Sequence, residues 1–528
     1  MPVQPSRSIL SLLLLTLAAT AVSAQQPSPT SAEAHAAAAF SAAKQEGPPE
    51  LYAFLVPMPK GADLHMHLSG AIYAETFLRD AVAQGLCIDP SALAFKDPAS
   101  PCPTGQLPAS TVLTDQHLYD QLVDAFSMRA FVPSEGFNGH DQFFATFGRF
   151  SGAWNPAEWL DEVATRAASQ QEQYLEIMNT PSAPNLKDMI KKGLAFPSGV
   201  DDANYRQLLD GFRTQLLASP LAQDIPLGIK MLADERTQQR AAEHCDATTP
   251  SPPSACAVAI HWIYQVARAN PPQNVFAQTL IGFEIASRDP QDVVGINFVQ
   301  PEDARIAMAD YHLHMLMLDY LHSVYPSVHI SLHAGELAPG LVSPDGLSFH
   351  IRQAVELGHA SRIGHGVDLL YETDPSALLA EMAAKHVMVE INLTSNDVIL
   401  GIKGKEHPLH AYLAAKVPAA LSTDDEGVSR IDLTHEYVVA AEDQGLGYLD
   451  LKQMARTSLE HAFLHGQSLW AAPDDFTQRA AACAGPIVPS GFPPGPCSVF
   501  LTANERAAQQ YVLEQRFVAF EAGIHWAR

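Results

Sequence analysis

Basic residues are scarce. The chain of 528 residues carries 32 Lys and Arg against 58 Asp and Glu, a formal net charge of −26. So acidic a surface repels phosphate backbones and anionic lipid, which excludes nucleic acid and a charged membrane surface as natural partners. Charged residues are only 17% of the chain and hydrophobic residues 47%, which excludes disorder as the dominant state. Cysteine is limited to six residues, Cys87, Cys102, Cys245, Cys256, Cys483 and Cys497, with no C-x-x-C spacing among them. That pattern disfavours a thiolate metal site. No internal repeat is evident.

Long apolar runs are also missing, except at the start. Arg7 precedes Ile9–Leu17, and Val22-Ser23-Ala24 precede the polar Gln25. A basic start, a short apolar middle and small residues describe a secretory signal peptide over residues 1–24. The run falls short of the ~20 apolar residues a membrane span needs. The expected location is therefore secreted or periplasmic, with no membrane attachment once the signal is removed. In that compartment the cysteines are expected as three disulfides between sequence neighbours: Cys87 with Cys102, Cys245 with Cys256, and Cys483 with Cys497. Fifteen connectivities are formally open to six cysteines.

Residues 25–56 read as a polar lead-in with a helix over 31–44. Beyond Pro59, short β-rich runs alternate with helical stretches: Ala62–Leu68, Gln173–Met178, Pro226–Leu232, Val293–Val299, His329–His333, Arg362–Val367, Val387–Leu393 and Pro418–Thr423. Eight strands separated by helices predict an α/β fold, a (β/α)8 TIM barrel over residues 57–469. An insertion of about residues 80–165 follows the first strand. It is rich in aromatics, Phe143, Phe144, Phe147, Phe150, Trp154 and Trp159, which serve equally as helix core or as a lid. A helix is expected over Ala304–Tyr325. Residues 470–528 read as a Cys-stapled loop and a final helix, Asn504–Ala522.

Four clusters at the ends of these runs carry chemistry. In Asp63-Leu64-His65-Met66-His67, alternation along a strand puts His65 and His67 on one face, half of a metal site. His333-Ala334-Gly335-Glu336 supplies a third imidazole and a carboxyl group. Arg362-Ile363-Gly364-His365-Gly366 frames a histidine with two glycines, where backbone can approach closely. Ser422-Thr423-Asp424-Asp425-Glu426 ends a run with consecutive carboxylates, costly unless a cation or hydrogen bonds offset them. Three His and one Asp suit a single Zn2+ with an open position for water. Val293–Val299 contains no Lys to bridge a second metal. His365 could then hold or deprotonate the water, Glu336 could donate a proton, and Asp425 could hydrogen-bond the substrate. This chemistry covers zinc-assisted hydrolysis or deamination. His244, His261, His312, His314 and His359 are assigned to helices or surface, and the sequon Asn392-Leu393-Thr394 to a barrel strand.

The stretch Met58–Leu68, with His333–Glu336, Arg362–Gly366 and Ser422–Asp425, resembles the adenosine deaminase family of metal-dependent hydrolases over about residues 57–440. The secretion signal, the insertion and Phe126-Ser127-Met128-Arg129 look similar to its secreted, growth-factor-related branch. The resemblance implies a TIM barrel with one Zn2+ per chain held by His65, His67, His333 and Asp424. It implies Glu336 as proton donor to purine N1, His365 as the group orienting and activating the zinc-bound water, and Asp425 as a partner of purine N7. The implied reaction is hydroxide attack at C6 of adenosine, and of 2′-deoxyadenosine, giving inosine and ammonia. Two positions depart from the family pattern. Ser69 stands where an Asp contacts the ribose, and Gln300 stands where a Gly meets the purine. They leave open an amidohydrolase acting on another aminopurine or a modified nucleoside, and a non-catalytic nucleoside-binding protein. The expected partner is a small purine nucleoside; a homodimer is left open.

Overall fold

The computed structural model describes residues 30–245 and 254–524. The expected signal peptide lies outside the described residues. Eight strands form one sheet in strict sequence order: β1 (Gly61–His67), β2 (Glu172–Asn179), β3 (Ala259–Ala267), β4 (Val293–Val299), β5 (His329–Ala334), β6 (Arg362–His365), β7 (Met388–Ile391) and β8 (Ala419–Leu421). Every neighbouring pair is parallel. The seam between β8 and β1 is closed just past the end of β8. There Asp424 N donates to His65 O at 2.8 Å, and Thr423 N and Oγ1 donate to the buried Asp63 carboxylate at 3.0 and 2.6 Å. The sheet is thus the closed (β/α)8 barrel expected from the sequence.

One strand was misplaced by the sequence reading. Pro226–Leu232 lies inside the helix Asp224–Ala242, and the third strand is β3. Gly228 does not make a turn there; a Cβ on it would come within 2.7 Å of Ile285 Cδ1, so the residue lets two helices pack closely. The true strand shows the β signature, with Ile260, Trp262, Tyr264 and Val266 all buried and β-branched or aromatic. His261 therefore sits on a strand and not on a helix or the surface.

The N-terminal helix runs Ser31–Glu46, started by a capping box between Thr30 and Glu33. The helix expected over Ala304–Tyr325 is two, Arg305–Ala309 and Tyr311–Val324. The final helix is Glu505–Gly523. Between β1 and β2, Cys87–Asp89 pairs antiparallel with Ala94–Lys96 and Leu107–Pro108. A helix then runs Gly139–Phe150, started by a second capping box between Asn138 and Asp141. This helix bears the phenylalanines. Cys87–Cys102, Cys245–Cys256 and Cys483–Cys497 are bonded as expected. Three disulfides indicate an oxidising compartment. Among the described residues no helix is long and apolar enough to cross a membrane.

Candidate metal centre and active site

The C-terminal ends of β1, β5, β6 and β8 bring the four sequence clusters to one point. His65 Nε2 and His333 Nε2 are 3.1 Å apart, and His67 Nε2 and His333 Nε2 are 3.2 Å apart. Asp424 Oδ1 lies 3.6 Å from His65 Nε2 and 3.4 Å from His67 Nε2. A tetrahedral ion with bonds of ~2.1 Å separates its ligand atoms by about 3.4 Å, and each of these four pairs stands close to that spacing.

Hydrogen bonds behind the rings set which nitrogen faces that centre. His65 Nδ1 is 2.6 Å from Glu390 Oε2, and an ionised carboxylate only accepts. His333 Nδ1 is 2.8 Å from Asn297 Oδ1. That oxygen also accepts the His333 backbone N–H at 3.0 Å, which fixes the amide's orientation. His67 Nδ1 is 2.5 Å from Gln265 Oε1, while Gln265 Nε2 donates to Thr180 Oγ1 at 3.2 Å. Each ring therefore donates its Nδ1–H outward and turns a bare Nε2 lone pair inward. Three lone pairs and a carboxylate facing one another repel unless a cation lies between them. The donor set fits zinc.

The remaining residues surround this point. His365 Nε2 lies 3.7 Å from Glu336 Oε1 and 4.0 Å from Asp424 Oδ2. A Cβ on Gly364 would come within 2.5 Å of His65 Cε1, and one on Gly366 within 2.4 Å of the Tyr412 hydroxyl oxygen; both glycines are required by close approach. His365 and Asp424 adopt left-handed φ of 70° and 57°, a conformation costly for non-glycine residues and concentrated at functional sites. Ser395 Oγ donates to Asp424 Oδ2 at 2.6 Å. Burial pushes the Glu336 carboxyl well above the carboxylate range, and repulsion from Asp424 adds to it. Burial does the same to Asp425, reinforced by Asp424 and Glu336. Burial raises Asp424 too, but His365, His65 and His67 outweigh it and hold that group low. Asp425 Oδ1 has no partner among the described residues, and Gly70 makes room for it, since a Cβ there would lie 1.4 Å from that oxygen.

The site opens into a cavity of about 410 Å3, in the ~300–1,000 Å3 range of small-molecule sites. His67, His333, Asp424, Glu336 and Asp425 form its floor, Ser69, Gln265 and Gln300 its sides, and Phe143, Phe144 and Phe147 its apolar wall. Among the described residues no Lys or Arg lines it. Gln300 takes a left-handed φ of 80°, the conformation a glycine would supply without strain. Its carbonyl accepts Arg268 Nε at 2.9 Å and its Oε1 accepts Ala269 N at 3.0 Å.

Residues 240–470 match the family model described as adenosine deaminase. Over that stretch, less than half of its length, the chain is similar to the adenosine deaminase family. A curated adenosine deaminase of Escherichia coli is 38% identical over 140 residues, which cover 26% of this chain and 39% of that protein. The chain thus spans about two fifths of the length of the curated relatives it matches. A Burkholderia ambifaria amidohydrolase solved with bound Zn shares the fold, with a TM-score of 0.50 and 15% identity over 89% of this chain and 95% of that one. An adenine deaminase of Arthrobacter aurescens aligns with a TM-score of 0.48 and 14% identity over 77% and 94% of the two chains.

Several site residues of this chain were not singled out from sequence. Glu390, Gln265 and Asn297 orient the imidazoles. Arg268, 1% exposed, donates through Nη1 to His333 O at 2.8 Å, and the buried Glu302 accepts the Gly335 and Glu336 backbone N–H groups at 3.2 and 2.7 Å. Gln265 and Arg268 lie on or just past the strand that was misplaced, so a correct β3 would have pointed to both.

Proposed function

We propose that the protein is a secreted, zinc-dependent deaminase of adenosine and 2′-deoxyadenosine. One observation carries the reading: three bare imidazole nitrogens and a carboxylate converge beside a buried carboxyl group whose surroundings favour its neutral form, on the floor of a cavity that no Lys or Arg among the described residues lines. His65, His67, His333 and Asp424 would hold one Zn2+ per chain, and a bound ion supplies Lewis-acid activation of a water molecule. Glu336, kept protonated by its surroundings, gives its proton to the purine N1 as oxygen adds at C6. His365 faces the same space and orients the attacking water. Asp425, with an unpartnered oxygen on the cavity floor, accepts or shares a hydrogen bond at the purine N7. Ser69 and Gln300 line the walls against the sugar and the purine edge, and the phenylalanine wall covers an apolar face of the base. The insertion and Phe126-Ser127-Met128-Arg129 support placement in the secreted, growth-factor-related branch. The acidic envelope and the absence of Lys or Arg from the cavity lining favour a neutral nucleoside over a nucleotide, and leave nucleic acid and membrane without a site.

The test is metal analysis of purified protein, with ammonia release measured for adenosine, 2′-deoxyadenosine, adenine and AMP, with and without chelator. One zinc per chain, chelator-sensitive turnover of the two nucleosides and poor turnover of AMP are expected. Glu336→Gln should retain zinc and lower kcat by about 10²–10⁴-fold, the usual contribution of a positioned proton donor. Release of no ammonia from any purine substrate would overturn the assignment.

A further inference from the structure

His365 differs from the three metal-facing histidines in what meets its Nδ1. Asn396 Nδ2 lies 2.9 Å from it and Asn392 Nδ2 3.4 Å. Asn396 Oδ1 is 3.1 Å from His407 Nε2. His407 Nδ1 in turn accepts the Leu409 backbone N–H at 3.2 Å. A backbone N–H can only donate, and this one fixes every proton in the chain. His407 Nδ1 is an acceptor, so its proton is on Nε2 and is donated to Asn396 Oδ1. The Asn396 amide is then oriented with its NH2 toward His365, so His365 Nδ1 accepts and its own proton is on Nε2. His365, Asn392 and Asn396 are 0% exposed and His407 is 3% exposed, so water does not compete for these bonds. His365 Nε2 has no partner among the described residues, and it is aimed between Glu336 and Asp424.

We propose that Asn396 and His407 are positioning residues that lock His365 as the Nε2–H tautomer, so that it acts as a hydrogen-bond donor to the oxygen added at the substrate carbon and not as a metal ligand or a proton acceptor. The geometry also tells His365 apart from the metal-facing histidines. His365 falls within ligand distance of His65, His333 and Asp424, yet a ligand needs a bare Nε2. Only His65, His67 and His333, which donate through Nδ1, can present one. The functional half of this proposal rests on the deaminase reading above, whereas the tautomer does not.

The tautomer is read by 15N NMR of the zinc-loaded protein labelled at histidine, without substrate, with the His365 signals assigned by their loss in His365→Asn. Wild-type protein should show a protonated Nε2 and a bare Nδ1. Asn396→Asp keeps the shape of the side chain but only accepts. It should move the proton to Nδ1 and lower kcat by about 10²–10³-fold, the usual effect of losing one donor to a developing oxyanion. KM and zinc content should stay within about twofold. His407→Phe, which frees the amide to turn, should have the same sign. His407→Gln retains an N–H near the place of Nε2 and should restore most of the rate. A wild-type His365 protonated on Nδ1, an unchanged tautomer in Asn396→Asp, or loss of zinc in His365→Asn would each overturn the lock. An inverted tautomer with unchanged kcat would overturn the donor role. If Asn396→Asp fails to fold, the wild-type spectrum and the zinc content of His365→Asn still decide the lock, and the His407 pair decides the donor role. Absence of any deaminase activity would remove the substrate reading and leave the spectrum to judge the tautomer.

Discussion

Burial alone would raise both Asp424 and Asp425; the histidines around Asp424 outweigh it and hold that group low, whereas Asp424 and Glu336 add to burial and push Asp425 higher. Opposite protonation states on adjacent residues are what a hydrolytic site needs: an anion to hold a cation, and an uncharged acid to share a proton with substrate. The outer partners of the imidazoles matter as much as the ligands. Gln265 is the most exposed test of this, because it both orients His67 and lines the cavity. Gln265→Ala should weaken zinc binding by about 10–100-fold, the usual consequence of removing an outer partner of a ligand histidine. Competition with a fluorescent chelator checks it, and unchanged affinity would show that His67 needs no support. At this scale much was legible. His65 with His67, His333 with Glu336, Gly-flanked His365 and Asp424 with Asp425 are short contiguous motifs, and chemistry of that density is visible without a fold. Glu390, Asn297, Gln265 and Asn396 were not visible in the same way. Each is an ordinary polar residue whose meaning lies in a partner between 31 and 325 positions away.

The helix Gly139–Phe150 has two faces, and its phenylalanines divide between them. All three of Phe143, Phe144 and Phe147 border the cavity, but Phe143 is 1% exposed and packs edge-on against Phe144 and near Phe147, while Phe144 and Phe147 are only partly buried. Phe144→Ala should therefore raise KM for adenosine several-fold with a small change in Tm. Phe143→Ala should cost about 3–5 kcal/mol of stability, as core phenylalanine truncations do. Thermal unfolding alongside steady-state kinetics separates the two, and equal effects of both variants on Tm would mean that the aromatic face is only core. The sequence left lid and core as alternatives; Phe143 and Phe150 are buried as core, and the same helix supplies the apolar wall of the cavity. The third strand was lost for a related reason. Pro226–Leu232 is short, mostly apolar, and opens on a Pro with a Gly two residues on, which is also how a buried strand can read. Only the packing of Gly228 against Ile285 tells the helix from a strand, and that contact is tertiary. The remaining strands were found because their ends carried the chemical motifs or lay between well-formed helical stretches.

The whole molecule is strongly acidic, yet several of its histidines are buried away from water, and this sets how it meets acid. Burial pushes the His314 imidazole down to about 3, with Arg268 adding to it. It pushes His261 down to about 4, with Arg236 adding to it. His407 also falls to about 4, by burial and then His410. All three are neutral in the folded chain at pH 5, whereas in the unfolded chain each takes up a proton below ~6.5. The unfolded state then binds more protons than the native state, so stability rises with pH through this window. It is fully present above about 6.5 and is lost progressively as pH falls toward 4. Between pH 7 and 5 each such histidine should remove about 2 kcal/mol, so Tm should fall over that range even while the disulfides remain intact. His314 is the cleanest probe, because it is 0% exposed, both its nitrogens lack partners among the described residues, and its ring packs edge-on 5.8 Å from Phe298. His314→Phe should leave Tm at pH 7 nearly unchanged and flatten its decline toward pH 5. Calorimetry of both proteins at half-unit pH steps measures the two slopes, and identical slopes would mean that acid enters the molecule through the metal-facing imidazoles and carboxylates instead.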